Sequence, residues 1–159
     1  MPSRGITPVV GVVILLLVTL GLSGALAVVI ADSQPTVEPQ SFSFSINATH
    51  EEEHGGTIEL FHEGGATVYT GDIDLWVEID GTPLKVQPDV PYSSNGLSGM
   101  AKGPFNWNSA DKNWGAGEYG SFNIAKSANE PHIEVGSEVT VKIYHEDVLV
   151  ASATAIASG

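Results

Sequence analysis

Residues 6–30 read ITPVVGVVILLLVTLGLSGALAVVI, a run without a charged side chain, Asn, Gln or His. As an α-helix rising about 1.5 Å per residue it would extend roughly 37 Å, against about 30 Å for the hydrocarbon core of a bilayer. Arg4 is the only charged side chain before it, and all 19 acidic residues lie at or beyond Asp32. The positive-inside rule then places the N-terminus in the cytoplasm and everything after Ala31 outside. The sequence thus predicts an α+β chain: a long hydrophobic N-terminal helix, then an exported all-β head.

The 159 residues leave about 125 beyond the apolar run, enough for one domain with a core and too few for two. Cysteine is absent, which excludes a disulfide framework, a thiol nucleophile and a thiolate metal site. The formal charge is −13, with six basic residues. Such a surface repels nucleic acid and anionic lipid head groups, so no nucleic-acid partner is expected. Many carboxylates with few lysines suit a saline exterior, where screening suppresses self-repulsion.

The apolar run has three readings. Ala25-Leu26-Ala27 is an A-x-A site for a cleaved secretory signal, but the run is longer than the usual h-region of about 7–15 residues. It also continues through Val28-Val29-Ile30, past that cut. An uncut signal anchor would instead give a single-pass, membrane-anchored extracellular β-domain that binds a surface or solute ligand without polymerising. The third reading rests on the preceding flank. Arg4-Gly5 followed by Ile6-Thr7-Pro8-Val9-Val10-Gly11-Val12 resembles the start of archaeal type IV pilins, particularly the haloarchaeal ones.

That resemblance implies a class III signal peptide, with Arg4, Gly5 and Ile6 as the processing site. A prepilin peptidase would cut between Gly5 and Ile6 on the cytoplasmic side, leaving the apolar run on the mature chain. The further partners implied are the assembly ATPase with its membrane platform, the membrane before assembly, and other copies in a helical homopolymer serving adhesion. The chain would be a single-pass membrane protein first and a cell-surface pilus afterwards. Bacterial relatives carry Glu at the fifth mature position; here that position is Val10, so no Glu-to-terminal-amine pairing is available. Within the expected filament-core helix, Pro8 falls in the first turn, where its missing N–H costs nothing. Gly11, Gly21 and Gly24 allow close helix approach, and Leu15-Leu16-Leu17 is apolar all round.

The organisation predicted is a leader over 1–5, the helix over 6–31, a linker over 32–40 carrying Pro35 and Pro39, and a head over 41–159. In the head, 41–47 alternates, with Phe42, Phe44 and Ile46 on one face. Strands are also expected at 57–62, 73–79, 83–86, 121–124, 138–144 and 148–156, with Asp80-Gly81 as a hairpin turn. Short strands at this spacing favour an antiparallel, immunoglobulin-like sandwich. Residues 88–120, with Trp107 and Trp114, form the one long stretch without a pattern, and a loop that long can conceal a hairpin. The block His62-Glu63-Gly64-Gly65-Ala66-Thr67-Val68 with Asp72-Ile73-Asp74-Leu75, and the turn Asn113-Trp114-Gly115-Ala116-Gly117-Glu118, are similar to blocks common in haloarchaeal pilin heads.

Little points to catalysis. His50-Glu51-Glu52-Glu53-His54 matches H-E-x-x-H, but that zinc chemistry needs a helix to bring both imidazoles onto one metal. Gly55-Gly56 follows at once, so a solvated loop is expected, with no metal and no cofactor. No G-x-S-x-G or phosphate loop is present, and the chain is not expected to be an enzyme. Asp72 and Asp74 fall on the solvent face of their strand. Asn47-Ala48-Thr49 is the sole N-x-[ST] sequon and makes Asn47 the candidate glycosylation site.

Overall fold

The computed structural model describes residues 12–18, 41–91 and 96–159. The chain divides into two units, Met1–Val37 and Glu38–Gly159. In the first, the described residues form a helix over 12–18, centred on Ile14-Leu15-Leu16-Leu17. This corrects the expected fold class. Among the described residues no helix is long and apolar enough to cross a membrane, and the class is mostly β rather than α+β with a long N-terminal helix. Seven residues rise about 10 Å as an α-helix, against about 30 Å for the hydrocarbon core of a bilayer, and the rest of the expected helix 6–31 lies outside the described residues.

Among its described residues the second unit holds nine strands: β1 (Phe42–Thr49), β2 (Thr57–Gly65), β3 (Val68–Tyr69), β4 (Ile73–Ile79), β5 (Thr82–Pro83), β6 (Asn113–Trp114), β7 (Tyr119–Asn123), β8 (Glu138–His145) and β9 (Val148–Ile156). One sheet has the order β1-β2-β7 and the other β5-β4-β8-β9, with β3 and β6 as a small separate pair. Pairing is antiparallel throughout these sheets. The order follows the A-B-E and C′-C-F-G arrangement of immunoglobulin-type sandwiches.

Alternation explains the layering. Phe42, Phe44 and Ala48 of β1, Ile58, Leu60 and His62 of β2, Ile73, Leu75, Val77 and Ile79 of β4, and Val139, Val141 and Ile143 of β8 are all buried. The intervening residues face outward because successive side chains in a strand take opposite faces. The apolar members form one core shared by the two sheets. The last residues fasten one sheet to the other. Ser158 pairs in parallel with Thr49, its carbonyl accepting from the His50 N–H at 2.8 Å and its own N–H donating to Ala48 O at 3.0 Å.

Two hairpins turn on residue pairs with positive φ, the geometry that matches the right-handed twist of the flanking strands. Asp80 and Gly81 stand at φ 50° and 74°, and Asp80 Oδ1 accepts from the Glu138 N–H at 2.8 Å. Glu146 and Asp147 stand at 49° and 65°, without a glycine. The return strand is shorter than 83–86, because Pro83 has no N–H to continue a ladder. The Gln87 side chain takes over along the edge of β4. Its Oε1 accepts from Val77 N at 2.7 Å and its Nε2 donates to Val77 O at 3.2 Å.

Among its described residues, the long stretch from 88 to 120 forms no hairpin. It contains a short 3-10 turn, Gly103–Phe105, and β6, which pairs with β3 and not with its neighbour β7. Thr70, fully buried, ties it down: its hydroxyl lies 3.1 Å from Pro104 O and 3.0 Å from Lys112 O. Phe105 and Trp114 anchor the stretch in the core, and Phe105 lies against Gly120, where a Cβ would come within 2.4 Å of the ring. Trp114 makes ring contacts with Phe42, Phe44, His62 and Phe105 at centroid distances of 5.7, 6.0, 5.0 and 5.2 Å. Its indole N–H donates to Glu118 O at 3.2 Å, which meets the need of a buried tryptophan for a partner.

The two tryptophans of this stretch should therefore separate in denaturant unfolding. Trp114→Ala is expected to lose about 3–5 kcal/mol through lost burial and a cavity. Trp107→Ala, at a position 63% exposed, should stay within about 0.5 kcal/mol of the parent. Equal losses would contradict this placement of the core.

Candidate functional site

The processing residues Arg4, Gly5 and Ile6 lie outside the described residues, as do Pro8, Gly11, Gly21, Gly24 and the linker 32–40. Leu15, Leu16 and Leu17 lie in the helix 12–18 with their side chains exposed. Asn47 lies on the outer face of β1, in register with Glu59 of β2, and its Nδ2 donates to Glu59 Oε2 at 3.2 Å.

The H-E-x-x-H residues occupy the connection between β1 and β2, and no helix forms there. Backbone contacts fix its path. Gly55 N donates to Ile124 O at 2.9 Å, Ile124 N to Gly56 O at 2.8 Å, and Ile133 N to Gly55 O at 2.9 Å. Gly56 has φ +115°, and a Cβ there would come within 2.5 Å of Ile133, so this close approach requires glycine. The two imidazoles turn to different partners. His50 Nδ1 lies 2.7 Å from Ile133 O; a carbonyl only accepts, so that nitrogen carries the proton. His54 Nδ1 meets the Ser98 hydroxyl at 2.9 Å, and Glu51 accepts from the Thr57 hydroxyl at 2.8 Å. Among the described residues, no group of three or more His, Asp or Glu is placed to hold a metal ion.

His62 was legible in the sequence as the end of an alternating strand, but its environment was not. The ring is fully buried, stacked on Phe42 at 5.4 Å and edge-on to Trp114. Nε2 donates to Ala66 O at 2.9 Å, while Nδ1 is buried with no protein partner. Only the neighbouring rings, brought from β1 and β6, define this setting.

The outer faces of the two sheets differ. On the β4–β8 face, Lys142 Nζ donates to Glu78 Oε1 at 2.6 Å, and the Trp76 indole N–H donates to the same oxygen at 3.0 Å. The Lys142 hydrogen bond, opposed by partial burial and aided by Trp76, holds the Glu78 carboxyl below its ordinary range. The same bond raises Lys142. On the β1–β2–β7 face, Ser45, Asn47, Glu59, Phe61 and Tyr119 line an open groove of about 400 Å³. Phe61 and Tyr119 pair directly across β2 and β7. Alternation predicts that Ser45 and Asn47 share one face of β1 and that Glu59 and Phe61 share one face of β2, whereas Tyr119 lies outside the expected strand 121–124 and joins them only through β7 and its pairing with β2.

No family model matches the chain, and no curated protein matches it. Among solved structures, the chain is similar to the archaellum periplasmic stator protein FlaG from Sulfolobus acidocaldarius, with a TM-score of 0.45 and 15% identity. The match covers 72% of this chain and 99% of that one.

The Glu78–Lys142 pair gives a pH and salt signature. A carboxyl depressed in the folded state contributes stability above its unfolded value, about 4.3, and loses it as pH falls through the folded one. Lys142, being raised, keeps its part until pH rises past about 10.4. Glu78→Gln should therefore lower Tm slightly at pH 7, with the difference from the parent shrinking below about pH 4 and in molar salt, where screening is strong. A difference that persists unchanged at both extremes would contradict the assignment.

Proposed function

We propose that the chain is a structural subunit of an archaeal surface filament of the type IV pilin class, haloarchaeal in its acidity. The observation that carries the reading is the order of the N-terminal sequence: Arg4-Gly5, then Ile6-Thr7-Pro8-Val9-Val10-Gly11, then an uncharged run, then an acidic domain. Cutting after Gly5 leaves the apolar segment at the new N-terminus. Glycine at that position lets the backbone enter a peptidase site without a Cβ in the way. The apolar segment is stored in the membrane and then polymerises with its copies. Lipid offers apolar segments no hydrophobic reason to associate, so packing of small residues and an ATP-driven assembly platform supply the drive. The β-sandwich heads face solvent, where 17 acidic residues against five lysines over 41–159 keep them soluble in salt and adhesion takes place.

Intact mass and N-terminal sequencing of the protein from its native cells test this reading. An N-terminus at Ile6 is the expected outcome. One at Val28 would mean secretion, and retained Met1 an anchored surface domain; either sinks the filament reading. Replacing Arg4 or Gly5 should abolish both processing and filaments, and unchanged filaments in those variants would refute the mechanism.

A further inference from the structure

Phe61 and Tyr119 are 44% and 62% exposed, side by side on the solvent face of the β1–β2–β7 sheet. Two adjacent rings on that face of an acidic domain call for an occupant. Register places Ser45, Phe61 and Tyr119 in one row across the sheet, and Asn47 with Glu59 in the next row. Rows on the same face lie about 7 Å apart along a strand. The groove of about 400 Å³ between them falls within the range of about 300–1,000 Å³ usual for small-ligand sites. Its lining combines ring faces with a carboxylate, an amide and hydroxyls. That mixture matches a pyranose, which presents an apolar C–H face to aromatic rings and hydroxyls at its rim.

A sequon, Asn47-Ala48-Thr49, stands at the wall of this groove and offers a covalent source for such a saccharide. We propose that Asn47 is N-glycosylated and that the proximal sugars lie in this groove against Phe61 and Tyr119. β1 is the edge strand of its sheet, so a transferase can reach Asn47 from the open side. Alternation buries Ala48 and leaves Asn47 exposed and Thr49 partly exposed. In the transfer, Asn47 Nδ2 attacks the anomeric carbon of a polyprenyl-phosphate-linked glycan. The C1–N bond forms, the C1–O bond to phosphate breaks, the polyprenyl phosphate leaves with the electron pair, and Nδ2 gives up one proton. The remaining N–H can still donate to Glu59, which orients the linkage along the groove. The glycan covers the two rings and removes an exposed aromatic pair from the surface. This inference rests on the export in the filament reading, not on polymerisation.

Glycopeptide mass spectrometry of the native protein, with thermal unfolding of four forms, tests it. The forms are the native chain, Asn47→Gln, the Phe61→Ser/Tyr119→Ser double variant, and the double variant with Asn47→Gln. The expected result is added hexose mass on Asn47, with the glycan raising Tm by several degrees when the rings are present and little when they are absent. Comparing glycosylated and unglycosylated forms within each background cancels any stability loss from the ring substitutions. Sugar proton resonances should also show ring-current shifts that the double variant lacks. An unmodified Asn47 in a chain processed at Ile6 would overturn the inference while leaving the filament reading intact. So would a glycan that stabilises both backgrounds equally, or a native chain whose unmodified groove binds free saccharide.

Discussion

Trp114 receives rings from three other parts of the chain: Phe42 and Phe44 of β1, His62 of β2, and Phe105 of the 3-10 turn. Edge-to-face pairs of this kind add about 0.5–1.5 kcal/mol each beyond the area they bury. Their larger effect is topological. Among its described residues, the stretch between β5 and β7 has little ladder of its own, and Trp114 and Phe105 anchor it in the core. With these two rings in place, β6 can pair with β3, and Thr70 can bind the carbonyls of Pro104 and Lys112.

The two outer faces show how one core supports two different surfaces. The β4–β8 face carries a charged pair shared with an indole, which is local, exposed and sensitive to salt. The β1–β2–β7 face carries a groove with two exposed rings and a sequon asparagine at its wall. Strand edges are handled by different devices. Gln87 hydrogen-bonds the free side of β4 with its side-chain amide, and Ser158 adds backbone bonds at the end of β1. Each satisfies edge groups that would otherwise be open to pairing with another chain.

Much of the head was legible in the sequence. Alternation at Phe42–Ile46, Ile73–Ile79 and Glu138–Tyr144 predicts strands that the structure contains, and Asp80-Gly81 turns as its type demands. The H-E-x-x-H residues also follow from local chemistry, since glycines immediately after His54 leave no room for a helix. Other features were not legible. The alternation of His62 says that it points inward, not that it lies among Phe42, Phe44 and Trp114. The pairing of β6 with β3 rests on a two-residue ladder, too short to leave a periodic signal. At the N-terminus, hydropathy reports the preference for a medium and not the backbone conformation, and among the described residues the helix covers 12–18.

The sequence by itself determined the division into an apolar N-terminal segment and an acidic β domain, the strands with their inward faces, and the sequon at Asn47. These depend on residue type and on a period of two, both local properties. The tertiary structure alone decided that Asn47, Glu59, Phe61 and Tyr119 border one groove, that His50 and His54 turn to separate partners, and that Trp114 rather than Trp107 is core. Those outcomes depend on strand order and on the meeting of residues distant in the chain. They are fixed by how two sheets share a core, which no local pattern encodes.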